Sequence, residues 1–250
     1  MTRRRLLLLL GFVSALVPAH AAGGSGEPRA LLEAMQRAFG RVETYTARFV
    51  RQEVVEGELR PREEALLKWQ RPGRIYLRWL SGPHRGREII YVPGREDGRM
   101  LVREPGFLTG LATFALVPDS PRVLRESRHP VTDVGLGRLI ELIVANARRA
   151  AAAGELTLRD HGEAPGPAGP ERRLEALLPR DPGRGYYSYR LELAVSVESS
   201  LPVRARVYDW DDRLVGDYAY LELRLNPPLG QRDFDPANPE YAFPAWTLRW

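Results

Sequence analysis

The sequence predicts an α+β fold, a curved antiparallel sheet with helices on its apolar face, from three features. Strand-like alternation fills both halves of the chain, one long amphipathic helix lies between them, and the turns joining the strands are too short for helical crossovers. The helix spans Leu136 to Ala147 at least: Leu136, Leu139, Ile140, Ile143, Val144 and Ala147 follow the i, i+3, i+4, i+7 spacing of a single stripe. Thr132 or Asp133 is the expected cap, and Arg148 and Arg149 suit the negative end of the helix dipole. A one-striped helix between two blocks of strands must bury its stripe on a sheet. It is then either an ordinary helical layer or the cover of an apolar cavity.

The chain has 250 residues and opens like an export signal. Arg3, Arg4 and Arg5 precede an apolar run from Leu6 to Val17, too short to span a bilayer comfortably, and Ala19-His20-Ala21 is a small-x-small cleavage site. Cleavage after Ala21 or Ala22 makes residues 1–22 a signal peptide and 23–250 a single periplasmic domain. Thr2 to Leu7 loosely resembles a twin-arginine signal, although the general secretory route is the commoner one. There is no cysteine, which excludes disulfides, thiolate metal sites and lipidation at a lipobox. The net charge of +5 falls to +2 without the three leader arginines, and the remaining basic residues are scattered among acids. Nucleic-acid binding needs a basic stripe, and none is visible.

In order along the mature chain, Arg29 to Phe39 reads as a short helix. Glu43 to Glu53 is a half-buried strand in which Tyr45, Ala47 and Phe49 alternate with polar residues. Strands follow at Glu64 to Gln70, Arg74 to Leu80, Glu88 to Val92 and Arg99 to Arg103, separated by short Gly- and Pro-bearing turns. In the second of these, Ile75, Leu77 and Trp79 share one face, and Arg74, Tyr76 and Arg78 the other. Glu104 to Arg128 is irregular, with apolar residues that suit a short helix, a tucked loop or a mobile flap. After the main helix, strands are expected at Leu156 to Arg159 and Leu174 to Leu178, with a disordered excursion from Pro165 to Pro170. The clearest strand signal is Tyr187 to Val197, followed by Val203 to Val207 and Val215 to Leu225. From Asn226 onward the tail is turn-rich.

Catalytic and metal motifs are lacking. His84, His129 and His161 show no ligand spacing, and His129 reads as a satisfied polar residue in a turn. Ser127 lies two residues from His129, but no nucleophile elbow accompanies them. Asp233, Asp235 and Asn238 lack the glycine and distal glutamate of a calcium loop and suit turn formation. Gly135-x-Gly137 lacks the third glycine of a phosphate loop. No catalytic residue, metal or cofactor is expected, and the chain is read as non-enzymatic.

Several phrases resemble the LolA/LolB superfamily, the periplasmic lipoprotein carriers. Tyr45-x-Ala47-x-Phe49 with Gln52, the run Lys68-Trp69-Gln70-Arg71-Pro72-Gly73-Arg74-Ile75, the turn Asp97-Gly98-Arg99 and Leu225-Asn226-Pro227-Pro228 occur in the family's order. SRHPVTDVGL, VYDW and DFDPANPEY are more closely similar to a family of exported bacterial proteins of unknown function related to those carriers. The resemblance implies an incomplete antiparallel barrel with helices over its concave face, and a lid role for the main helix. It also implies an arginine near the first strand that tethers the lid, with Arg48 and Arg51 as candidates. The segment from Pro105 to Arg128 and the tail after Pro239 depart from the carrier pattern.

Two functions follow as expectations. The first is a periplasmic carrier of a lipid or acylated protein, with transient membrane association. Strand and helix parity then puts Phe49, Trp69, Ile75, Leu77, Trp79, Leu136, Leu139, Ile140 and Ile143 around its cavity. The second is a regulatory or envelope-assembly module that binds a protein partner and has a filled core.

Overall fold

Two antiparallel meanders meet along one seam. The structure, a computed structural model, describes residues 26–106, 110, 112–244 and 247–249. The expected signal peptide, and Phe107, Leu108 and Leu111, lie outside the described residues. The first meander comprises β1 (Thr44–Val55), β3 (Glu63–Gln70), β4 (Arg74–Ser81), β5 (Glu88–Tyr91), β6 (Met100–Arg103) and β7 (Thr113–Leu116), with the short β2 (Glu58–Leu59) beside β1. The second comprises β8 (Thr157–Gly166), β9 (Gly169–Leu177), β10 (Arg190–Ser196), β11 (Pro202–Tyr208) and β12 (Leu214–Leu225). β12 pairs with β1, which joins the meanders into one sheet of order β13-β7-β6-β5-β4-β3-β1-β12-β11-β10-β9-β8. Here β13 (Thr247–Arg249) is a parallel edge strand on β7. Among the described residues the edges β13 and β8 are not paired with each other, so the barrel is incomplete.

Among the described residues, three α-helices complete the fold: α1 (Gly26–Gly40), α2 (Pro121–Leu124) and α3 (Leu136–Ala152). Their apolar faces pack on the inner face of the sheet, where register stacks side chains in rows. Tyr45 lies opposite Trp69 and Trp69 opposite Ile75; Ala47, Leu67 and Leu77 form a second row, and Phe49, Ala65 and Trp79 a third. All of these are buried in one core with Met35, Leu136 and Ile140. The alternation of β1, β3 and β4 produces this inner wall because successive side chains of a strand point to opposite faces.

A second, smaller core occupies the outer face. Tyr76, Ile90, Leu101 and Phe234 are buried there, with Leu229, Tyr241 and Phe243 of the tail packed on them. Tyr76, which the alternation places on the face opposite Ile75, Leu77 and Trp79, is therefore almost fully buried, its ring stacked on Tyr241 with centroids 4.0 Å apart. The tail also explains Lys68, the only lysine: its ammonium pairs with Asp233 at 2.7 Å and lies over the Tyr76 and Tyr241 rings.

The structure differs from the sequence reading in four further places. The irregular segment contains β7 and α2. The expected disordered excursion from Pro165 to Pro170 is the closed end of the β8–β9 hairpin, with Pro165 opposite Pro170. Pro165 is tolerated because β8 is an edge strand. The strand expected from Tyr187 begins only at Arg190, so Tyr187 is free to reach the helix. Finally, Thr132 and Asp133 form a separate 3-10 turn and do not cap α3.

Candidate functional site

The start of α3 is held by the sheet. Its N-cap is Gly135, which has no capping side chain and a φ of +129°. Instead, the Tyr45 hydroxyl accepts the Leu136 N–H at 3.0 Å. Tyr45 is fully buried and stacked on Trp69, and burial pushes its phenol pKa well up. A Cβ on Gly135 would lie 2.7 Å from that hydroxyl oxygen, and one on Gly137 would lie 2.8 Å from the Phe39 ring of α1. The two glycines that open the helix thus serve close packing.

Further along the same inner face of β1 stand Arg51 and Glu53. Arg51 donates from Nε to Glu63 Oε2 at 2.9 Å and from Nη1 to Ser127 Oγ at 2.9 Å, with its guanidinium over the Trp79 ring. Glu53 accepts from the Tyr218 hydroxyl at 2.8 Å and from the Arg128 backbone N–H at 3.2 Å. Burial and the neighbouring Glu53 charge push Tyr218 upward, so it remains a donor. Ser127 donates to the His129 carbonyl at 2.8 Å, which takes it out of any relay with the imidazole. His129 Nε2 lies 2.7 Å from the Tyr187 hydroxyl, and burial lowers the imidazole pKa, which favours the neutral ring.

A second set of ion pairs grips the same segment. Arg87 bridges Glu104, at 2.9 Å, and Glu126, at 2.7 Å. His84 Nδ1 lies 2.5 Å from Glu63 Oε1; the carboxylate can only accept, so this nitrogen carries the proton. Burial alone would raise Glu63, but the His84 hydrogen bond and the Arg51 and His84 charges outweigh it and hold the carboxyl at about 2. Residues 126–129, the lead-in to α3, are thus latched to the sheet by side chains of β1 and the β4–β5 turn.

On either side of this latch the inner core is not filled. An apolar cavity of about 130 Å³ lies under α3, floored by Phe49, Tyr220 and Val207 and roofed by Leu139, Leu142 and Ile143. A second, of about 90 Å³, is floored by Leu77, Trp79 and Val102 and roofed by Val123 and Val131. Arg51, Ser127, His129 and Val134 line both.

Of the residues expected around a cavity, Phe49, Leu139 and Ile143 line the first and Leu77 and Trp79 the second. Trp69, Ile75, Leu136 and Ile140 line neither and are packed in the core. The two tether candidates separate by strand parity. Arg51 faces inward to Ser127, whereas Arg48 is on the outer face, paired with Glu64 and Glu222. Sequence reasoning missed Glu53, Tyr218 and Tyr187. Glu53 had a legible signal, since it continues the inward series Tyr45, Ala47, Phe49, Arg51; the tyrosines had none. Asp233, Asp235 and Asn238 serve turns: Asp233 accepts from Gly230 N, Asp235 from Ala237 N and Asn238 from Glu240 N.

Residues 42–243 match a family described as "Protein of unknown function (DUF1571)". No curated protein matches the chain. Among solved structures it is similar to the lipoprotein LppX of Mycobacterium tuberculosis, at 13% identity and a TM-score of 0.49, over 84% of this chain and 100% of that one. It is also similar to an uncharacterized conserved protein of Thermus thermophilus, at 12% and 0.48, over 89% and 99%. A LolA-superfamily protein of Nitrosomonas europaea matches at 12% and 0.36, over 83% and 96%.

Proposed function

The chain belongs to DUF1571, a family of unknown function, and we propose that it is a non-enzymatic periplasmic carrier of a lipid or acylated protein, held under α3. The cavity of about 130 Å³ carries this reading. It is close to the ~150 Å³ apolar cavity that stays dry and takes up benzene. Each methylene buried there gains about 0.8 kcal/mol, so a chain of moderate length binds without a specific contact. The lead-in latch gives α3 one fixed end, and export would bring the mature chain to the membranes between which lipids move.

The test is native mass spectrometry of the mature protein, exported and purified without detergent, followed by solvent extraction. An added mass that extracts as lipid is the expected result. A clean apo mass together with no uptake of a fluorescent fatty acid overturns the reading and turns the search to a protein partner.

A further inference from the structure

One flank of α3 meets the connection between β9 and β10, residues 178–189, over the larger cavity. Leu139, Leu142 and Asn146, three and four residues apart on the helix, line that cavity and are half-buried, as are Leu178 and Tyr187 of the connection. Tyr187 is tied across the gap at both of its ends. Its backbone N–H donates to Asn146 Oδ1 at 3.0 Å, and its hydroxyl lies 2.7 Å from His129 Nε2, with the Arg128 guanidinium over its ring. The neighbouring residues are clipped to the end of the helix from outside. Arg149 donates to the Arg184 carbonyl at 2.7 Å, and the Tyr186 hydroxyl donates to Glu155 at 2.6 Å. Residues 180–185 are all exposed.

The helix is the fixed side of this gap. Leu136, Ile140, Ile143 and Val144 are buried, and the Leu136 N–H is bonded to Tyr45. Its lead-in is held by Arg51 and Arg87, and Arg148 reaches Gln36 of α1 at 2.8 Å. Lifting α3 would return four large apolar side chains to water. Swinging the connection instead breaks hydrogen bonds that water replaces, with Tyr186 and Ser188 as its buried residues. We infer that residues 178–189 are the gate of the cavity, with Tyr187 as the bar, and that the ligand passes between this loop and the flank of α3 while the helix stays docked. This rests on the carrier reading and assigns its moving part.

Because the chain has no cysteine, introduced pairs can be cross-linked without side reactions. Arg149→Cys with Arg184→Cys, joined by a short bismaleimide, ties the loop to α3. Arg148→Cys with Gln36→Cys, joined in the same way, ties α3 to α1. All four positions are exposed, and in each pair one side chain already bonds its partner residue. Uptake of a fluorescent fatty acid is followed by stopped flow before and after linking, and circular dichroism checks that the folds are kept. The loop link should slow uptake at least tenfold, and the helix link less than twofold. Slowing by the loop link that does not exceed slowing by the helix link overturns the gate and leaves the carrier reading standing. Tyr187→Phe keeps the ring but frees it from His129, and should speed release of the bound fatty acid at least threefold. Unchanged release also overturns the gate, and this variant decides the matter if a link does not form. No uptake by the unlinked wild type overturns the gate and the carrier reading together.

Discussion

Gly135→Ala should destabilise the fold by about 2–4 kcal/mol, far more than an ordinary surface glycine replacement. Gly135 has φ +129° and ψ 163°, a region open essentially to glycine alone, and holding alanine there costs about 1–3 kcal/mol. The new Cβ would also lie 2.7 Å from the Tyr45 hydroxyl, with the Trp69 ring at 3.4 Å behind it. Tyr45 has no room to retreat, so the bond from Leu136 N–H lengthens or breaks, a loss of roughly 0.5–1.5 kcal/mol. Equilibrium urea denaturation reads the sum; with a slope near 2–3 kcal/mol/M the midpoint should fall by about 1 M. Gly40→Ala is the control, because a Cβ there meets nothing within 4 Å, and it should be neutral or stabilise by up to about 1 kcal/mol. Tyr45→Phe combined with Gly135→Ala should cost less than the two single changes added, since both act on the same hydroxyl. A loss below about 1 kcal/mol for Gly135→Ala, or strict additivity in the pair, would refute the close approach of β1 to α3.

The two arginines separate by burial. Arg51→Met leaves Glu63 with His84 as its remaining partner and takes the guanidinium from Ser127, and should cost about 2–4 kcal/mol, whereas Arg48→Met, with its side chain 39% exposed, should cost under about 1 kcal/mol; parallel urea melts compare them. Glu63 has a lowered folded pKa, so the unfolded chain takes up its proton first. Its contribution should be complete above pH 4.5 and fade as pH falls toward about 2; Glu63→Gln should flatten that limb in a pH series of melts. Phe234→Ala, which removes the buried anchor of the tail, should cost about 3–5 kcal/mol by denaturation. Leu139→Glu puts a carboxylate on the cavity roof and should reduce lipid retention at least tenfold, read by extraction, while the circular dichroism spectrum is kept.

Much of the architecture was legible because periodicity reports which face of an element is buried. The α3 stripe, the inner row Ile75, Leu77, Trp79 and the order of the meanders all follow from it. At Tyr76 the same signal is incomplete: alternation places it opposite the inner row but does not show that the tail covers that face with a second core. β7 and β13 escaped because short strands at a sheet edge have too few residues to show a period. The site was half legible. Phe49, Leu139 and Ile143 follow from parity alone, but parity cannot distinguish a cavity wall from filled core, which is why Trp69 and Ile140 were grouped with them.

The local pattern of the chain determined its elements, their faces and the presence of one covered apolar surface, since helix and strand periods are properties of neighbouring residues. Tertiary structure alone decided which polar groups meet. Ser127 reaches Arg51 across 76 positions, and Tyr218 reaches Glu53 across 165. Such separations leave no trace in local spacing, because only the pairing of β1 with β12 and the docking of α3 bring those atoms within hydrogen-bonding distance. The volume left under the helix is decided in the same way, by how closely Gly135 and Gly137 let the elements approach, and no count of apolar residues contains it.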